Sequence, residues 1–220
     1  MFTSPAMRET TSKEKVLKKI RKALIHKTPP KNMAVDFERP VFPPLEEDPA
    51  VNFARELLAL GGEFAFCENP LDFAENLIAL VQQLQTDQIF CFEPSIQALF
   101  DQVEFPYRND PSKLHEMEVG VTGCEALIAR SGTIMVSSAQ TRGRVMTAYP
   151  PVHVVIAFTS QLVLDLKAGF DLVKARHSGK LPSLLSAITG PSRTADIEKT
   201  LVMGAHGPKA LYVFLVQDEA

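Results

Sequence analysis

Gly61-Gly-Glu-Phe-Ala-Phe-Cys-Glu-Asn-Pro70 is a strand held between two helix signals. The glycine pair stops the segment before it, because glycine enters the left-handed conformations that end helices at no steric cost. Asn69-Pro70 starts the segment after it, with an amide side chain to cap and a proline whose missing N–H is harmless in the first turn. Between them Glu63-Phe-Ala-Phe-Cys67 reads as a short strand. Working outward, Asp48-Pro49 starts a helix whose Phe53, Leu57, Leu58 and Leu60 run to the Gly61 stop. On the other side Phe73, Leu77, Ile78, Leu80, Val81 and Leu84 form the apolar face of a second helix. Gln88–Phe92 reads as a strand, Pro94–Phe100 as a short helix and Val103–Tyr107 as a weaker strand. Strands alternating with helices of this length predict an α/β fold, with a mainly parallel sheet flanked by helices.

The second half changes character. Cys124–Arg130 and Thr133–Ser138 are β-rich runs joined at Ser131-Gly132, as in a hairpin or sharp corner. Pro150–Phe158 is the most strand-like stretch of the chain, Gln161–Lys174 predicts an amphipathic helix, and Leu211–Val216 closes as a buried strand. The sheet therefore acquires an antiparallel part.

The densest chemistry lies in Ser186-Ala-Ile-Thr-Gly-Pro-Ser-Arg-Thr-Ala-Asp-Ile-Glu198 and Leu201-Val-Met-Gly-Ala-His-Gly-Pro208. The first reads as a strand ending at Thr189, a turn at Gly190-Pro191, and a first helical turn at Ala195–Glu198. Such a break aims free N–H groups and a positive dipole end at one spot. Arg193 adds a planar charged fork suited to a carboxylate or phosphate. The alternative is a turn whose Ser and Asp cap the helix. His206, between Gly204 and Gly207, is the histidine placed to act as acid, base or anion donor. His153 alternates with valines and reads as a core or sheet-face histidine, while His26, His115 and His177 read as surface residues. Arg142 and Arg144 read as a solvated loop.

Net charge is -3, so a nucleic-acid-coating surface is not implied. No apolar run approaches the roughly 18 residues a membrane helix needs. The N-terminus lacks an apolar signal core, which predicts a cytoplasmic protein. Residues 1–31 carry nine Lys/Arg against two acids, and Val16, Leu17, Ile20 and Leu24 share one face of a helix expected over Ser12–His26. That stripe packs on the domain or on a partner subunit, so a homo-oligomer stays open. Six prolines between residues 28 and 50 form an extended connector, dividing the chain into a basic arm over 1–50 and a domain over 51–220. Cys67, Cys91 and Cys124 are odd in number and far apart, which excludes a disulfide frame and a self-contained four-cysteine iron–sulfur cluster or zinc finger. No Gly-x-Ser-x-Gly elbow, Gly-x-Gly-x-x-Gly or Walker-type motif is present.

At Ser131-Gly-Thr133, Ile188–Glu198 and Leu201–Pro208 the sequence resembles the lactate-utilisation protein C family, the LUD domain, over about residues 50–220. The resemblance implies a fold similar to the glucosamine-6-phosphate deaminase, ribose-5-phosphate isomerase and CoA-transferase superfamily. It also implies a role beside iron–sulfur partner proteins in oxidising L-lactate to pyruvate, with no cofactor in this chain and the clusters in its partners. The chain departs from the family at Arg130, where an acidic residue is common. On this reading Thr189, Gly190, Ser192 and Arg193 bind a small anionic metabolite, His206 transfers a proton, and Glu125, Arg130, Ser131 and Thr133 line the pocket. A stand-alone isomerase or acyl/CoA-transferase, and a non-catalytic assembly or regulatory protein, remain as alternatives.

Overall fold

The computed structural model describes residues 11–25, 42–140, 142–197, 200–204 and 206–218. His26, most of the proline-rich connector and Glu198 lie outside them. The chain divides into Met1–Pro44 and Leu45–Ala220. In the first unit, helix α1 (Ser12–Ile25) is opened by a reciprocal pair of bonds between Thr11 and Glu14. Its Val16, Leu17, Ile20 and Leu24 are exposed.

In the second unit, helix α2 (Pro49–Ala59) is capped by Asp48, which accepts from the N–H groups of Ala50 and Val51. Strand β1 (Glu63–Cys67) follows, then helix α3 (Pro70–Leu84), capped by Asn69 through Leu71 and Asp72. Strand β2 (Ile89–Cys91), helix α4 (Pro94–Gln102) and strand β3 (Val119–Thr122) continue the alternation. Strands β6 (Val152–Phe158) and β11 (Ala210–Val216) complete a five-stranded sheet of order β1-β11-β6-β3-β2. All four of its pairings are parallel.

The antiparallel part is a separate sheet rather than an extension of the first. Strands β4 (Ala126–Ile128), β5 (Thr133–Ser137), β7 (Leu162–Val163) and β8 (Leu185–Ile188) are ordered β7-β4-β5-β8. Alternate residues of β6 sort the two cores. Val154 and Ile156 pack with Phe73, Leu77 and Phe100 beneath α3 and α4. Val155 and Ala157 face Phe53 and Leu57 of α2 and Leu127, Ile134 and Val136 of the second sheet. After the short helix α5 (Gly143–Met146), helix α6 (Leu166–Arg176) covers the far side of that sheet through Val173. Among the described residues no helix is long and apolar enough to cross a membrane.

Three local readings are corrected. Val103–Tyr107 is not a strand: Glu104 takes a positive φ of 51°, Pro106 has no N–H to offer a ladder, and only a bridge between Phe90 and Arg108 remains. Helix α6 starts at Leu166, capped by Asp165, because Thr159–Gln161 form a 3-10 turn and Leu162-Val163 pair with β4. Ala195–Glu198 does not open a helix. Arg193–Ile197 is strand β9, paired antiparallel with β10 (Thr200–Met203). The β-branched Thr194, Ile197, Thr200 and Val202 favour the pleated ribbon over the helix suggested by Asp196 and Glu198.

The Ser131-Gly132 corner holds as expected. Gly132 has φ +57°, and a Cβ there would stand 2.5 Å from the backbone nitrogen of Leu57. Gly132→Ala should therefore destabilise the domain by about 3 kcal/mol, from left-handed strain plus overpacking against α2. A lower urea midpoint at unchanged slope is the expected readout.

Candidate functional site

Parallel strands deliver their following loops to one edge of a sheet, and ligands of open α/β sheets bind there. At this edge Glu93 follows β2, Gly123-Cys124-Glu125 follows β3, and Ser160 and Gln161 follow β6. With Arg176 and His177 from the end of α6 they line a cavity of about 350 Å3.

Glu125 is the centre of its bonding. Its side chain is only 3% exposed. One carboxylate oxygen accepts from the Ser137 hydroxyl and lies 3.0 Å from His177 Nε2, and the other takes Arg176 Nη1 at 3.0 Å. Burial pushes the Glu125 carboxyl up, but the bonds from Ser137 and His177 and the positive charge of Arg176 outweigh it, leaving it below its ordinary value. Glu93 differs. Burial dominates and holds its carboxyl above the usual value, against the N–H of Gly123 and the amide of Gln140, with the Glu125 charge pushing the same way as burial. Glu93 Oε1 accepts from Gly123 N at 3.0 Å and from Gln140 Nε2 at 3.3 Å. The Cys124 carbonyl accepts from Gln161 and from Arg176 Nη1 at 3.3 Å. Burial raises the Cys124 thiol, so it is no ready nucleophile.

The chemical capacity of this cavity is specific. Arg176 uses Nη1 toward Glu125 and Cys124, which leaves the rest of its fork for a ligand. His177, oriented through Nε2, keeps Nδ1 for a proton. Glu93 lines the same space with a carboxyl that burial makes hold its proton more readily than usual. A small carboxylate with an adjacent oxygen matches that set.

The residues singled out in the sequence fall into separate places, and only Glu125 lies in the cavity. Arg193 donates from its guanidinium to the carbonyl of Leu60, just past the end of α2. Gly190 is packed against Leu60 with φ +90°. Ser131, Thr133 and Thr189 form a hydroxyl chain, with links of 2.8 Å and 2.9 Å. The Arg130 N–H bonds the Leu164 carbonyl. Ser192 is tied through its backbone to Pro208 and Gly204. His206 is exposed beside Tyr149, Pro150 and Lys209, in a hollow where β6 and β11 begin. His206 and Glu125 thus stand at opposite edges of the parallel sheet, the length of β6 apart, roughly 20 Å.

His177, expected at the surface, instead lines the cavity and bonds Glu125. Sequence reasoning also passed over Glu93, Gln140, Gln161 and Arg176. Glu93-Pro94 carried a signal, an acid at the strand-to-helix turn behind β2. Arg176-His177 carried none beyond a basic helix end. His153 is wholly buried, as a core histidine should be, with Nε2 2.9 Å from Thr122 Oγ1. Its Nδ1 has no partner among the described residues. Burial lowers its pKa to about 4.

Comparison with known proteins fits this architecture. The chain is 37% identical over 109 residues to "Lactate utilization protein C" of Bacillus subtilis, covering 48% of this chain and 45% of that protein. It is 35% identical over 100 residues to "Uncharacterized protein NMB1437" of Neisseria meningitidis, covering 46% and 42%. The match thus spans less than half the length of these relatives. The crystal structure of a DUF162 family protein from Deinococcus radiodurans superposes with a TM-score of 0.55 at 20% identity, over 79% of this chain and 99% of that one, a likeness of fold. The LUD domain model matches residues 101–216. The stretch from α4 to the last strand, which carries Glu125, Arg176 and His177, is that domain, and the chain belongs to the LUD domain family.

Proposed function

We propose that this protein serves lactate utilisation by holding a small 2-hydroxycarboxylate, L-lactate in the first instance, in the cavity between Glu93, Glu125, Arg176 and His177. The observation that carries the reading is the bonding of Arg176 and His177 to one buried carboxylate at the sheet edge. The free part of the Arg176 fork takes the ligand carboxylate. Glu93, in its protonated form, donates to an oxygen of the ligand, and the neutral ring of His177 accepts the hydroxyl proton at Nδ1. Turning a 2-hydroxy acid into a 2-oxo acid breaks the O–H and Cα–H bonds: the hydroxyl proton goes to His177, and the Cα hydrogen with the electron pair would go to an oxidant supplied by iron–sulfur partner proteins. Assigning the clusters to partners is supported by the chain's own thiols. A cluster needs several thiolates at one place. Cys67 and Cys91 are pushed by burial to about 12 and lie in the core beneath α3 and α4, while Cys124 lies in the other core.

Arg176→Lys keeps a cation beside Glu125 but loses the planar fork. It should weaken L-lactate binding about tenfold or more in calorimetric titration, as expected for a lost charged hydrogen bond of about 1.5–3 kcal/mol. Equal affinity in a folded Arg176→Lys protein would remove the cavity from consideration. Lactate-dependent dye reduction by complexes purified through the tagged chain tests the oxidative half of the reading.

A further inference from the structure

His153 sits at the middle of the parallel sheet, in register with Gly120 on β3 and Leu211 on β11. Thr122, its neighbour through Nε2, is equally buried, and its hydroxyl donates to the Gly123 carbonyl at 2.9 Å. A hydroxyl has one proton to give. With that proton on the Gly123 carbonyl, the Thr122 oxygen must accept from His153. The imidazole proton is therefore on Nε2, and the unpartnered Nδ1 carries a bare lone pair. A valine or leucine would fill a sheet interior without leaving an acceptor unmet, so packing alone does not favour histidine here.

What the histidine secures is Gly123. Its N–H bonds Glu93 Oε1, and a Cβ on it would lie 3.0 Å from Glu93 Oε2, so backbone and carboxyl face each other directly. Glycine leaves its own dihedrals free. The Glu93 bond fixes only the peptide before Gly123; the peptide after it is fixed by the carbonyl that Thr122 holds. We propose that His153 is a positioning residue for the cavity: through Thr122 it pins the backbone at Gly123 and so sets where the Glu93 carboxyl stands against Arg176 and His177. The inference rests on the cavity as the ligand site, yet it can be tested without a ligand.

Thr122→Val keeps the shape and removes both bonds; His153→Leu removes the relay from its other end. The full chain carrying 13C-labelled glutamate carboxyls is followed by NMR. In both variants the Gly123 amide should exchange at least tenfold faster than in the wild type. Glu93 should titrate at higher pH, because the N–H that favours its charged form is loosened. Glu125, the other carboxylate acting on Glu93, should move little, being held by Ser137, Arg176 and His177. A histidine that serves only packing would lower stability and leave the Glu93 titration in place. Unchanged Gly123 exchange and Glu93 midpoint in folded Thr122→Val would overturn the proposal. Shifts in both, with L-lactate affinity unaltered, would uphold the relay and set aside lactate as the ligand of this cavity.

Discussion

Glu125→Ala is expected to lower the stability of the domain by about 3 kcal/mol and to abolish binding in the sheet-edge cavity. Removing one member of a buried ion pair strands the others, and that loss reaches about 3–5 kcal/mol when all are desolvated. The lower end applies because the Arg176 side chain is 40% exposed and water partly replaces its partner. Ser137 loses its acceptor, and His177 loses the contact that orients its ring. Glu125→Gln, which preserves shape and one acceptor oxygen, should recover part of the stability but not the binding. Urea unfolding followed by circular dichroism provides the measurement. An alanine variant as stable as the wild type would mean that the carboxylate is better solvated than its burial implies.

Acid should weaken the fold through His153 well before general acid denaturation. The unfolded histidine takes a proton near its ordinary pKa of 6.5, whereas the native one, desolvated in the sheet, takes it only near 4. The unfolded state therefore binds more protons between these values. The stabilising contribution is complete above pH 6.5 and is lost as the pH falls to 4. That window corresponds to about 3 kcal/mol. Glu93, raised by burial, acts in the opposite direction at the upper end of the carboxylate range, while Glu125 and Asp218, both lowered, act in the same direction as the histidine below it. The comparison is His153→Leu against wild type: Glu125 and Asp218 are common to both, and the further rise expected of Glu93 in the variant works against the histidine's slope rather than replacing it. The variant should lose the slope between pH 4 and 6.5. Parallel stability curves would show that His153 is hydrated in the native state.

The parts of the fold legible in the sequence were those decided within a few residues. Asp48 and Asn69 cap the helices that Pro49 and Pro70 open, and each bonds the N–H groups two and three positions on. The short run of β1 between its two helix signals and the apolar run of β6 became strands, as their length and composition indicate. The reading failed where two local preferences competed. Ala195–Glu198 has the acids of a first helical turn, but the β-branched residues around it pair across the ribbon. The site was less legible still. Glu125 was singled out, but Arg176 and His177 reach it across 51 and 52 residues, and no spacing rule connects positions so distant. Thr189, Gly190 and Arg193 looked like an anion cradle because glycine, hydroxyl and arginine serve backbone packing as readily as ligands. Here Thr189 bonds Thr133, while Gly190 and Arg193 meet Leu60 at the end of α2.

Between Thr122 and Ala126 the chain leaves one sheet and enters the other, and the three residues that make this passage carry the cavity floor. Among the described residues the two sheets share no strand pairing. A molecule gripped there consequently rivets two layers that are otherwise joined by apolar packing, by the bond between Gln140 and Glu93 and by the chain itself. Its occupancy should register as heat resistance of the entire domain, so that a melting temperature rising with concentration becomes a way to search for the natural ligand before any turnover is known.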